Sequence, residues 1–538
     1  MNRRSLLAAG AAAALAPAAL APAMGPLARP ALAQPALAPP AGRVLKFVPQ
    51  ANLANADPVW STVTVAANHA HMIWDQLWTF DESLTPRLQM LAGAIISEDK
   101  LTWRLALRDG LAFHDGAPVR GVDCIASLSR WMKRDGMGQR IASQLNEMRA
   151  VNDRTFEIVL KKPFPLLPMA LANNCHMMPE RVAKTDAFTQ ITDFTGSGPF
   201  RFVQNEWVSG SRAVYVKNDK YIPRNEPPSN MAGGKVVNVD RVEWIIMPDP
   251  ATAAAALQTG EVDWLERPLA DLIPVLNRAR DVKVEDTDLL GELGIVRPNH
   301  IQPPFNAVKL RQALLAIADQ KDYLAAVMGP DSPYTTQPVG IWTPGTPLAT
   351  SAGMDKITGK RDLAAAKQLV AESGYKGERV VLMAPSDFPT LNALAQVTKS
   401  LCDQLGLNTE MVVNDWGSLI QRRASREPVE KGGWSIFCTS GGGFTSSNPA
   451  VYTSLWGMGD KAWFGWYASP KMEALRDAWY VAPDLASQQK LAAEMQVLAF
   501  EEVPFIPTGM WRSPIARRSN VNGILKASRP LFWNLKKA

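Results

Sequence analysis

The apolar residues Trp103, Leu105 and Leu107 alternate with Arg104, Ala106 and Arg108, the period of a half-buried strand. Asp109-Gly110 and Asp115-Gly116 follow as turn pairs, because glycine accepts positive φ without a Cβ clash. After Pro118, the residues Val122, Ile125 and Leu128 return at helical spacing, so this stretch reads strand, hairpin turn, strand, helix. The same alternation predicts strands at Val44–Val48, Thr155–Lys161 and Val242–Met247. Helices are predicted over Ala66–Leu77, over an Ala-rich run capped by Thr252 and closed by Gly260, and after Asp362 as far as Gly374. A further helical face joins Leu310, Leu314, Ile317 and Leu324. Strands and helices mixed in this way give an α/β chain.

Length and charge narrow the picture. The 538 residues exceed what one core serves, so more than one lobe is expected. Met1 to Ala33 reads as an export signal, with Arg3-Arg4, an Ala/Leu-rich run without acids, and Ala31-Leu32-Ala33 before Gln34. Asn2-Arg3-Arg4-Ser5-Leu6-Leu7 looks like a twin-arginine signal, though it lacks the usual aromatic. Residues 34–42 form a Pro/Ala-rich leader expected to be disordered. The first cysteine is Cys124, so a lipid-modified cysteine cannot follow the signal, and a soluble periplasmic protein is expected. Removing the signal takes the formal charge from +6 to +3, too small to argue for nucleic acid. Cys124, Cys175, Cys402 and Cys438 lack CxxC spacing; one or two disulfides could form, with pairing open.

The residues LRDGLAFHDGAPV, followed two positions later by Val122-Asp123, resemble the signature region of family 5 solute-binding proteins, the oligopeptide and dipeptide receptors of ABC importers. Further blocks follow in the family's order: Trp74-Asp75-Gln76-Leu77, Gly196-Ser197-Gly198-Pro199-Phe200, Ala256 to Asp263, Pro303-Pro304-Phe305-Asn306, Asp362 to Gly374-Tyr375, and Val503-Pro504-Phe505. The glycine pair before Pro199 reads as backbone geometry rather than a phosphate cradle, since no helix start follows. The resemblance implies a bilobal clam-shell periplasmic binding protein of the large peptide-binding type, with an extra inserted lobe. Lobe I would take 43–56, 199–285 and 505–538, the inserted lobe 57–198, and lobe II 286–504. The partners implied are a peptide or other small organic solute and an inner-membrane permease and ATPase, with the receptor a monomer and no cofactor.

A catalytic reading finds no GxSxG, HExxH, GxxxxGK[S/T] or GxGxxG, so an enzyme such as a secreted hydrolase is not expected. Of the five histidines, His114 reads as a turn residue. His69-x-His71 is the nearest approach to a metal pair, but residues two apart do not share a helix face. A metal or metal-chelate receptor on the same fold is the alternative.

In peptide-binding relatives, a loop of the second lobe carries an acid for the peptide's ammonium. The corresponding region, Trp434 to Pro449, contains no acid. Burying an unpaired ammonium is costly, which argues for a neutral or anionic solute. The same loop could equally be a flexible Gly/Ser segment with the acid supplied elsewhere, for example by Asp415. By family position the ligand-binding residues expected are Ser61, Thr62, Trp416, Thr439, Ser440, Gly441, Gly442, Phe444 and Trp511. Trp434, Trp456, Trp463 and Trp466 are further candidate aromatic walls.

Overall fold

The computed structural model describes residues 43–61, 63–482 and 484–538. The export signal, the 34–42 leader and Thr62 lie outside the described residues.

Among the described residues two large sheets dominate. The first has seven strands in the order Val282–Glu285, Ile515–Arg518, Trp264–Leu265, Val44–Val48, Arg241–Ile245, Arg212–Lys217, Phe200–Phe202. Val44–Val48 runs parallel to both Arg241–Ile245 and Trp264–Leu265. The alternation read from the sequence buries Leu45 and Phe47 completely. Phe47 packs against Trp264 and Phe532 at 4.9 Å and against Trp244 at 5.7 Å.

The second sheet has six strands: Thr335–Thr336, Ile506–Trp511, Glu292–Pro298, Ile436–Gly442, Val380–Pro385 and Thr409–Asn414. Val380–Pro385 is parallel to both Thr409–Asn414 and Ile436–Gly442. A four-stranded antiparallel sheet, Leu91–Ile96, Thr102–Leu107, Thr155–Leu160 and Leu145–Asn152, stands apart. It is backed by the helix Gly121–Trp131.

Several elements differ from expectation. The first helix is Thr64–Ile73, ending before Trp74-Asp75-Gln76-Leu77. Gly198 N donates to Ile73 O and Asp75 N to Ser197 Oγ, so the chain after Ile73 is held extended against the Gly196–Pro199 segment. Asp249, not Thr252, caps Pro250–Thr259: its carboxylate accepts from the Thr252 N–H. The face Leu310 to Leu324 is split between Val308–Ile317 and Gln320–Met328, because Asp319 starts a new helix by accepting from Lys321 N. The second strand of the 102–131 stretch is reduced to one bridge, Ala112 with Pro118.

Three of the family-like blocks, around His114, Trp74-Asp75 and Gly196–Pro199, meet at one joint. A Cβ at Gly196 would lie 1.6 Å from Ile73 O, and one at Gly198 2.7 Å from Met72 O, so only glycine admits this crossing. His114 clamps it: Nδ1 accepts from Gly196 N at 3.0 Å while Nε2–H donates to Gly198 O at 3.1 Å. That tautomer needs a neutral ring, and burial pushes the His114 pKa down to about 4. Trp74 Nε1 donates to Thr195 O, and Asp75 reaches Lys235 Nζ at 2.8 Å with both side chains buried. The glycine pair and His114 thus serve backbone geometry.

Candidate functional site

In open α/β sheets ligands collect outside the carboxyl ends of parallel strands. Here the parallel strands of both large sheets end at the same place. Val44–Val48, Arg241–Ile245 and Trp264–Leu265 run out into segments bearing Gln50, Met247 and Arg267. Val380–Pro385, Thr409–Asn414 and Ile436–Gly442 run out towards Phe388, Trp416 and Phe444. Two adjoining cavities of roughly 590 and 540 Å³ open there, sharing Gln50, Ser61, Arg267, Trp416, Arg423 and Phe464 as walls. Residues from the 57–198 region, Arg134 and Asn174 among them, close the side. Such volumes suit a small organic ligand.

The walls are aromatic and cationic. Trp416 stands edge-on to Phe388 at 5.7 Å, and Phe444 packs on Phe80 at 4.4 Å. Arg423 lies 4.5 Å over the Phe464 ring, and burial pushes its pKa down to about 10. Arg134 donates to Trp60 O. Arg267 is ion-paired with Glu292, whose other oxygen accepts from Ser440 Oγ at 2.9 Å. Arg529 also lines the smaller cavity, with its Nε and Nη1 buried.

The acids are engaged. Asp135 caps Gly136–Gln144 by accepting from Gly138 N, and burial pushes its carboxyl up to about 6. Asp387 accepts from Trp416 N, and Asp415 caps Trp416–Arg422 through Ser418 N and Oγ. Asp415, the acid considered as a substitute for one in the loop, is therefore committed to its helix.

The model for bacterial extracellular solute-binding proteins, family 5, matches residues 86–463. The chain belongs to this family. It is 40% identical over 494 residues to a probable peptide ABC transporter periplasmic-binding protein of Sinorhizobium fredii, covering 90% of this chain and 92% of that one. Among solved structures it is similar to the periplasmic binding protein AgaA of A. tumefacien R10 in complex with agropinic acid (TM-score 0.77, 20% identity, 92% of this chain and 99% of that one). It is equally similar to the oligopeptide-binding protein AppA of Bacillus subtilis in complex with a nonapeptide (TM-score 0.77, 17% identity, 92% and 99%). The α/β fold is that of the bilobal periplasmic peptide-binding proteins.

In this solute-binding protein, Ser61, Trp416, Thr439, Ser440, Gly441, Gly442 and Phe444 line the cavities, as do Trp456, Trp463 and Trp466. Trp511 is placed elsewhere. It is buried in the strand Ile506–Trp511, with its ring against Gly294, and Trp434 is likewise fully buried. The region read as a possible flexible loop is in its first half the strand Ile436–Gly442. The sequence reading missed Arg134, Arg267, Arg423 and Arg529, which belong to no motif.

The histidines do not form a chelating pair. His69 Nδ1 meets Tyr215 Oη at 2.8 Å, whereas His71 Nδ1 faces His176 Nε2 at 3.3 Å. No group of three or more His, Cys, Asp or Glu suited to a metal ion occurs among the described residues. All four cysteines are buried free thiols, so the disulfides considered possible do not form.

Burial, before any neighbouring charge, pushes His69 and His176 down to about 3. The unfolded chain therefore binds these protons near pH 6.5 while the native protein does not. Stability is expected to fall as pH drops from about 6.5 towards 4, by roughly 1.4 kcal/mol per pH unit for each such histidine. Urea unfolding at pH 7 and pH 5 measures this, and His176→Gln should remove one histidine's share of the slope.

Proposed function

We propose that this protein is the periplasmic receptor of an ABC importer, capturing a peptide or peptide-like organic solute in the cleft and delivering it to an inner-membrane permease and ATPase. Export by the N-terminal signal, release without a lipid anchor and action as a monomer belong to the same reading. No helix among the described residues is long and apolar enough to cross a membrane. The observation that carries the reading is the convergence of both sheets' parallel-strand ends on two adjoining cavities, in a chain 40% identical to a peptide-transporter binding protein over nine-tenths of its length.

The lobes would be 43–56 with 199–285 and about 512–538, an inserted lobe 57–198, and 286–511. The last boundary moves from 505 because Ile506–Trp511 pairs with Glu292–Pro298 in the second sheet, while Ile515–Arg518 pairs in the first. A ligand touching both lobes favours their closed arrangement over the open one. We assign Ser61, Trp416, the Thr439–Gly442 stretch and Phe444 to the ligand wall, and leave Trp511 to packing.

Thermal unfolding of the purified protein against dipeptides, longer peptides, N-acylated and C-amidated analogues, sugars and nickel-histidine tests this. A ligand at a hundred times its Kd stabilises the folded form by about 2.7 kcal/mol. Stabilisation by one of the peptide classes is expected. A shift with sugars or nickel-histidine alone would overturn the peptide reading.

A further inference from the structure

Arg529 sits in the cavity wall beside Ser528, between the two large sheets' ligand-facing ends. Its Nε and Nη1 are buried and find no protein hydrogen-bond partner among the described residues. Two buried guanidinium nitrogens without acceptors are costly, and the acids of the cleft are already occupied. Glu266, the carboxyl whose charge acts on Arg529, accepts from Gln50 N at 2.7 Å and from Asn68 Nδ2 at 3.2 Å. Burial also pushes the Glu266 carboxyl up, weakening it as a counter-ion. Glu292 is held by Arg267 and Ser440. His71 and His176, close to Arg529, are kept neutral by burial and supply no negative charge.

The rest of the wall has the same sign. The cavity that Arg529 lines also carries Arg134, Arg267, Arg423 and Lys461 against the acids Asp135 and Glu292. Gln50, on the same wall, adds a buried Oε1 without a protein donor. An oxyanion with a neighbouring N–H group is complementary to this pair: the oxyanion accepts from the planar Arg fork, and the N–H donates to Gln50.

We propose that Arg529 is the anion anchor of the cleft, and that the transported solute is a net-negative, amide-containing carboxylate whose carboxylate sits on its guanidinium. This rests on the peptide-receptor reading and narrows it to acidic or N-blocked peptide-like acids.

The test uses a matched peptide set in four forms, free acid or C-terminal amide, each with a free or acetylated amino terminus. Thermal shift finds the binders and calorimetric titration ranks them. The acids, and above all the acetylated acids, are expected to bind at least tenfold more tightly than their amides. Arg529→Gln should weaken the acids by roughly ten- to a hundredfold, the value of a charge-assisted hydrogen bond, and weaken the amides by less, so that the preference for acid over amide collapses. Arg529→Lys should retain part of the preference. Equal affinity of acid and amide for the wild-type protein would overturn the anchor while leaving the receptor reading standing, and needs no variant to fold. Tightest binding by free-amino amides, which are cationic, would overturn it too. Failure of all four forms to bind would remove the peptide reading and the anchor together.

Discussion

Lys235→Met is expected to lower the free energy of unfolding by about 3–5 kcal/mol at pH 7, the cost of leaving one partner of a buried ion pair uncompensated. The Lys235 ammonium lies 2.8 Å from Asp75 Oδ1, both side chains are at most 1% exposed, and Trp533 covers the ammonium at 4.9 Å. Tyr221 Oη donates to the other Asp75 oxygen at 2.8 Å, which softens the loss but cannot supply a charge. Burial alone would raise the Asp75 carboxyl; the charge and hydrogen bond of Lys235 hold it below its ordinary value instead. A depressed native carboxyl contributes stability above the unfolded carboxylate pKa, and loses it as pH falls through the native value. The deficit of Lys235→Met relative to the wild type should thus be largest at neutral pH and shrink below about pH 4. Denaturant unfolding at pH 7 and pH 4 reads both figures. Asp75→Leu combined with Lys235→Met should recover part of the loss, since an apolar pair leaves no stranded charge.

Arg130→Met should cost a similar ~3–5 kcal/mol, and ligand affinity with it. Arg130 forks onto Asp57 at 2.7 and 3.1 Å, with both side chains almost fully buried, and also donates to Thr185 O and Thr189 O. Asp57 in turn accepts from the N–H groups of Val59, Trp60 and Ile191 and, through its own carbonyl, from Ser61 N. The guanidinium therefore fixes the segment that carries Ser61 into the cavity wall. Arg130→Lys keeps the charge without the bidentate fork and should restore only part of the stability. Denaturant midpoints for the two variants, with titration of whichever ligand the wild type binds, check this. Equal stability of Arg130→Met and wild type would mean that Asp57 is satisfied by its backbone donors alone.

The elements were legible where a single face is buried. The alternation at Thr102–Leu107 and Val44–Val48, and the Asp-to-Gly brackets around Leu363–Glu372, survive because period and cap state the same thing. The end of the first helix was not legible, since it depends on Gly198 and Ser197 bonding to Ile73 and Asp75 from more than a hundred residues away. Trp511 misled for a related reason: every residue of Ile506–Trp511 is buried, so nothing in its pattern says which side meets a ligand. Family position was enough to point to Thr439–Gly442 as cavity-lining residues. Arg267 and Arg529 could not be found that way, because a cavity lined by single residues from many segments leaves no local spacing, and each is one basic residue among 57.

The strands Ile506–Trp511 and Ile515–Arg518 occupy interior places in two different sheets, the first beside Glu292–Pro298 and the second beside Val282–Glu285. Each partner lies more than two hundred positions earlier in the chain. Closing so long a loop adds little to its entropic cost, which grows only logarithmically, but folding rates fall steeply as contacts become non-local. Both sheets must therefore wait, incomplete and with unpaired edges, for the same dozen residues. Completion of the two halves of the molecule is thus expected to occur as one coupled event rather than two independent ones.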